Sequence, residues 1–113
     1  MKKYLILFLI IPFFTFGQSN DKNVNETFKV DGNCSMCKKR IEKATLSLKG
    51  VKYAKWNKRS SDLSIIYVNE KVNIQEIRSK IAQTGHDNGE YIATLNTYDK
   101  LPECCKYRDT GKH

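Results

Sequence analysis

No apolar run in this sequence is long enough to span a bilayer comfortably. The longest, from Tyr4 to Phe16, gives way to polar residues well short of the ~20 that a transmembrane helix requires. An arginine-rich stripe is also missing. The lysines are scattered and alternate with Glu and Asp, so the formal charge of +8 does not read as a nucleic-acid-binding face. There is no internal repeat of note and no low-complexity segment. Cysteines number only four, and they are poorly spaced for a disulfide framework: one C-x-x-C, Cys34 and Cys37, and one adjacent pair, Cys104-Cys105. Adjacent cysteines rarely bond to each other, because the peptide between them would be strained. Such spacing suits a site better than a staple.

What is present begins with a leader. Met1-Lys2-Lys3 is a short basic segment, Tyr4–Phe16 an apolar one, and Thr15-Phe16-Gly17 puts small residues at the positions preceding a cut before Gln18. The expectation is a cleaved signal peptide over residues 1–17 and an exported, periplasmic mature protein with no membrane insertion; an anchor left in place is the alternative. No cysteine lies near the cut, which argues against a lipid anchor. Removing Lys2 and Lys3 lowers the charge from +8 to +6 and leaves 96 residues, enough for one small domain. The remaining positive charge tunes the thiol site, draws an acidic partner, or simply keeps the surface solvated.

Residues 18–25 read as a flexible polar lead-in. Glu26–Val30 alternates, with Phe28 and Val30 on one face of a half-buried strand. Ile41, Ala44, Thr45 and Leu48 then recur at helical spacing, and Lys49-Gly50 closes that helix. Val51–Trp56 and Leu63–Val68 are predicted strands joined by a polar hairpin turn. Asn73, with Glu76 three residues on, resembles a capping box for a second helix carrying Ile74, Ile77 and Ile81, which stops at Thr84-Gly85. Tyr91–Thr94 is a predicted fourth strand. This order, βαββαβ, implies an α+β, ferredoxin-like fold: a four-stranded antiparallel sheet with both helices on one face.

The cysteine loop, Asp31-Gly32-Asn33-Cys34-Ser35-Met36-Cys37, falls between the first strand and the first helix. Backbone N–H groups at a helix start favour thiolate over thiol, and Lys38, Lys39 and Arg40 add positive charge. A thiolate pair suits Cu(I) or Hg(II), soft ions that accept two sulfurs. Taken alone, C-x-x-C is equally open to redox chemistry or a short-range disulfide.

With these elements in place, residues 26–95 resemble a heavy-metal-associated domain, the fold of copper chaperones, copper-ATPase amino-terminal modules and periplasmic mercury-binding protein. The resemblance rests on Cys34-x-x-Cys37, Leu48-Lys49-Gly50-Val51, Ile65-Ile66-Tyr67 followed by Glu70-Lys71-Val72, Ile77 to Ile81, and the Gly85-His86-Asp87 turn. It implies a non-enzymatic carrier that takes Cu(I) on Cys34 and Cys37 and hands it to a metal-transporting ATPase or another transfer protein. Periplasmic Hg(II) capture is the rival. Two departures stand out. The family's Gly-Met-x-Cys is here Asp31-Gly32-Asn33-Cys34, so the buried methionine that steadies the loop is absent, and Met36 is expected to face solvent. His86 stands where relatives carry tyrosine or lysine, beside the cysteine loop; it is a third ligand, a donor to a thiolate, or an exposed turn residue.

A thiol–disulfide oxidoreductase is the enzymatic alternative. That fold needs a proline facing the dithiol, and the mature chain holds only Pro102, two residues from Cys104. The tail, residues 96–113, carries Tyr98, Leu101 and Tyr107 as apolar anchors and is expected to pack on the domain. About ten residues of extended chain reach roughly 30 Å, enough to fold across it. Cys104 and Cys105 then complete a coordination sphere or serve as a second capture point; the alternatives are a disulfide to the loop or idle thiols. Four sulfurs would widen the range to Zn(II).

Overall fold

The computed structural model describes residues 23–110. Three strands form an antiparallel sheet: β1 (Asn23–Lys29), β2 (Val51–Trp56) and β3 (Asp62–Val68), in the order β1-β3-β2. β3 is central because its odd positions are all apolar: Leu63, Ile65 and Tyr67 are buried, while Ser64 and Ile66 lie on the other, partly exposed face. A bulge at Lys52 shifts the β2 register between Val51↔Tyr67 and Tyr53↔Ile66. β1 is longer than its alternation suggested. Asn23–Asn25, expected in the lead-in, pair with Val68–Ile66, since an edge strand tolerates polar residues where their side chains meet water. The expected leader and residues 18–22 lie outside the described residues.

Helix α1 (Ser35–Leu46) buries Cys37, Ile41, Ala44 and Thr45; helix α2 (Ile74–Gln83) buries Ile77, Ile81 and Ala82. Both stripes share one core with Leu63, Ile65 and Tyr67. Asn73 caps α2 as expected, its side chain accepting from the Glu76 N–H at 2.8 Å and donating to the Glu76 carboxylate at 3.0 Å, an arrangement typically worth ~1 kcal/mol. Because β1 and β2 run parallel to each other on either side of antiparallel β3, with α1 crossing between them, one split β-α-β unit is complete.

The second unit does not close. The expected fourth strand at Tyr91–Thr94 is not formed, and among the described residues the sheet has three strands rather than four. Asn88 and Tyr91 bond to each other in both directions (2.9 and 3.0 Å), folding the run into a tight turn. The Ala93 N–H is taken by the Asp87 carboxylate at 2.7 Å, and Thr94 caps a short helix, α3 (Leu95–Asp99). The Tyr91 and Ala93 donors are thus committed locally rather than to β1. The chain instead continues into a 3₁₀ turn, Glu103–Cys105, and a last helical turn, α4 (Tyr107–Thr110). Tyr98, Leu101 and Cys105 belong to the same core as the helices and the sheet, so this tail packs on the domain.

Candidate metal centre

Cys34 closes the loop in an extended conformation (φ −135°, ψ 176°) and α1 starts at the next residue, which puts Cys37 in the first turn. The two sulfurs are 3.5 Å apart. Cys37 is fully buried and accepts a hydrogen bond from the Asn33 backbone N–H at 3.3 Å. The loop has a rigid floor. Trp56 lies beneath it, its indole N–H shared between the carbonyls of Val30 (3.0 Å) and Ser61 (3.1 Å). Space above that ring is tight: a Cβ on Gly32 would stand 3.0 Å from both Cys37 Cβ and Trp56 Cζ2. Gly32 itself stands where the resemblance would put methionine, and the neighbouring Asn33 is buried.

The tail brings the second cysteine pair to the first. The Cys104 and Cys105 sulfurs lie 3.0 and 3.5 Å from that of Cys34 and 3.9 Å from each other. All four thiols are free, so neither a loop staple nor a tail disulfide is present. Cys104 is exposed, Cys105 fully buried. The sulfurs of Cys34, Cys104 and Cys105 form a group lying within 4.8 Å of one another, and Cys37 stands outside it. Met36 is half-exposed, as expected, with its thioether 3.5 Å from Cys104 Sγ.

Several contacts hold the tail there. Leu101 seats against Gly85, whose φ of +109° suits glycine and whose missing Cβ would fall 2.8 Å from Leu101 Cδ2. The Tyr107 hydroxyl accepts from the Asp87 N–H (2.9 Å) and donates to the Gly85 carbonyl (2.7 Å). Arg108 grips the Asp87 carboxylate through two nitrogens, at 3.0 and 2.7 Å. Tyr98, Leu101 and Tyr107 are the anchors legible as apolar residues in the sequence. The Arg108–Asp87 pair had no such signal, since two charged residues 21 positions apart are unremarkable in a sequence this rich in charge.

His86 departs from the exposed-turn alternative. It is buried rather than exposed, stacks on Tyr107, and its Nδ1 donates to the Asp31 carbonyl at 2.8 Å, clamping the loop backbone. Nε2 has no hydrogen-bond partner among the described residues. Burial, reinforced by Arg40 and opposed by the Asp31 contact and by Asp87, pushes its pKa down to about 4. His86 is not grouped with the sulfurs.

The thiols differ sharply in acidity. Burial raises the Cys34 pKa, but hydrogen bonds with Cys104, with the Cys37 backbone and with the Cys37 and Cys105 thiols outweigh it and bring it to about 7. The basic residues contribute less than their position suggests: Lys38 is bound to Glu42 and to the Trp56 carbonyl, and Arg40 to the Thr84 carbonyl. Cys105 is pushed well up, by burial first and then by its contacts with Cys37 and Cys34; Cys104 is raised chiefly by its bond with Cys34. One sulfur is therefore poised to ionise near neutrality while those of Cys104 and Cys105 hold their protons. Coordination of a soft ion would displace the remaining protons.

No protein-family model matches the sequence, and no curated protein matches it. Solved structures do. A CopZ metallochaperone is 28% identical over 58% of this chain and all of its own length, with a TM-score of 0.57. The water-soluble region of the P-type ATPase CopA from Bacillus subtilis is 26% identical over 60% of this chain and 46% of its own, again at 0.57. Oxidised MerP from Ralstonia metallidurans CH34 shares the fold at 17% identity, covering 58% of this chain and 96% of its own length, at 0.51.

Proposed function

We propose that this protein, a heavy-metal-associated-like domain with a sulfur-lined loop, is a carrier that binds Cu(I) through Cys34 and Cys37 and releases it by ligand exchange. The observation that carries the proposal is the pairing itself: two sulfurs 3.5 Å apart at a helix start, one with a pKa of about 7. A two-sulfur site leaves Cu(I) under-coordinated, so an incoming thiolate can attack before either original sulfur departs. No bond in a substrate is made or broken. The recipient is a copper-transporting ATPase module or a comparable thiol-bearing transfer protein, a role supported by the likeness to the CopZ metallochaperone and the CopA soluble region. Hg(II) fits the same pair of sulfurs and is the second reading. The apolar leader in the sequence supports an exported carrier; among the described residues no helix is long and apolar enough to cross a membrane.

Native mass spectrometry of the protein recovered after expression with its leader tests the whole proposal. A mass beginning at Gln18 with bound copper is expected, and Cys34→Ser/Cys37→Ser should lose the copper against a Cu(I) chelator while keeping its circular dichroism. The variant should lose some stability as well, because Cys37 is part of the core rather than of an independent loop. A copper-loaded double variant would refute the pair as the site; an intact Met1 terminus in a membrane fraction would refute export.

A further inference from the structure

We propose that the tail builds a second metal site, a three-thiolate subsite of Cys34, Cys104 and Cys105 that shares Cys34 with the loop pair, so that one chain holds two Cu(I) ions bridged by the Cys34 sulfur. The inference rests on the carrier reading for its choice of ion, and on geometry for everything else. Cys34 is the hub of the sulfur array, in contact with Cys37 (3.5 Å), Cys104 (3.0 Å) and Cys105 (3.5 Å), while Cys37 also touches Cys105. Cys37 stands outside the mutually close group of three. A single tetrahedral ion needs all four sulfurs mutually close; the exclusion of Cys37 from that set leaves the triad as one site and the Cys34–Cys37 pair as another.

The dimensions agree. With metal–sulfur bonds of about 2.3 Å, three sulfurs in a plane around an ion lie ~4.0 Å apart. The Cys104–Cys105 and Cys34–Cys105 edges, 3.9 and 3.5 Å, are near that value. The 3.0 Å Cys34–Cys104 edge must open by about 1 Å, and Cys104 is the exposed member whose side chain is free to swing. A thiolate sulfur has lone pairs enough to bind two soft ions at once. Each S–H that becomes a ligand releases its proton to solvent, and no electron changes hands. The site is also preformed: Leu101, Tyr107 and Arg108 seat the tail, and Cys105 is itself part of the core. A cation entering at exposed Cys104 thus meets sulfurs already in position.

The test is anaerobic Cu(I) titration of the full chain against a chromophoric Cu(I) chelator, read by native mass spectrometry, with X-ray absorption on the loaded form. Wild type should take two ions and show a short copper–copper distance. Cys37→Ser should keep one ion, in the triad, and Cys104→Ser/Cys105→Ser should keep one, in the pair. Cys34→Ser should hold none against the chelator. Because Cys105 is buried, Cys104→Ser alone is the safeguard: its fold should be unchanged and its second ion at least tenfold weaker. Wild type stopping at one ion, with Cys104→Ser/Cys105→Ser binding one at the same affinity, overturns the triad and leaves the carrier reading standing. A single ion lost from either pair variant means one four-sulfur site and overturns the two-site arrangement. A wild type that binds no copper overturns both.

Discussion

Replacing Leu101 by alanine tests whether the tail is structural and whether its docking sets the cysteine array. Leu101 is 4% exposed and belongs to the core, with its methyl groups against Gly85. Removing a buried leucine side chain costs about 2–5 kcal/mol, the cavity left behind accounting for the spread. Here the wall is Gly85 backbone held by the Tyr107 hydroxyl, which cannot collapse inward without breaking that bond. We therefore expect about 3 kcal/mol or more, a large share of a total of ~5–15 kcal/mol for a domain of this kind. Urea unfolding followed by Trp56 fluorescence reads it directly, because Trp56 is the only tryptophan and is buried in the core. Cys105, the last residue of the 3₁₀ turn that begins just after Pro102 and fully buried, should become reactive towards a thiol reagent in native buffer. Leu95→Ala, at a position 69% exposed, is the control and should change stability by no more than ~0.5 kcal/mol. A Leu101→Ala loss below about 1 kcal/mol, with Cys105 still protected, would refute the docking argument.

Two further outcomes follow from the loop. His86 has a folded pKa of about 4 against an ordinary 6.5, so as pH falls through 6.5 the unfolded chain takes up a proton that the folded chain refuses until about 4. Stability should decline across that window by an amount on the order of 3 kcal/mol, and His86→Gln, whose amide can still donate to Asp31, should flatten the dependence; identical urea midpoints against pH in the two proteins would sink this account. Gly32→Ala would force its Cβ to 3.0 Å from a Trp56 ring pinned by two hydrogen bonds, so Cys37 must give way. A stability loss of about 1–3 kcal/mol with several-fold weaker Cu(I) binding is expected, and a variant matching wild type in both would show that the loop is softer than its packing implies.

Most of the frame was legible because its signals are local. The stripe Ile41, Ala44, Thr45, the capping pair Asn73 and Glu76, and the alternation Leu63, Ile65, Tyr67 each depend on neighbours a few residues away, and each appears in the structure. The C-x-x-C at a helix start was equally readable, for the same reason. What was not legible depends on long-range competition. Tyr91–Thr94 has strand composition, but whether it pairs with β1 is decided by Asp87, whose carboxylate takes the Ala93 N–H and is in turn held by Arg108. His86 looked like a ligand, donor or turn residue from its place in the sequence; its burial against Tyr107 could not be read without knowing where the tail goes. The helix-start backbone contribution to the Cys34 acidity was legible, whereas the larger one from the Cys104 thiol was not, because it depends on where the tail docks.

The missing fourth strand and the sulfur array are consequences of the same turn. The Asp87 carbonyl accepts from the Asp31 N–H at 2.8 Å, so the chain leaving α2 arrives beside β1 at the end that carries the cysteine loop. A fourth strand running antiparallel to β1 from that point would move away from the loop by ~3.4 Å per residue, and along the full seven residues of β1 by more than 20 Å. Its successor would then have to return across the domain to bring Cys104 and Cys105 to Cys34. By folding back at Asn88–Tyr91, the chain stays at the loop end, and three short helical segments suffice to place both thiols within 3.5 Å of Cys34. The tail's apolar anchors then compensate in the core for the side chains a closing strand would have supplied: Tyr98, Leu101 and Cys105 are buried, whereas Ile92, in the segment expected as strand, is 61% exposed. Sheet closure and thiol delivery compete for the same segment, and this sequence resolves the competition in favour of the thiols.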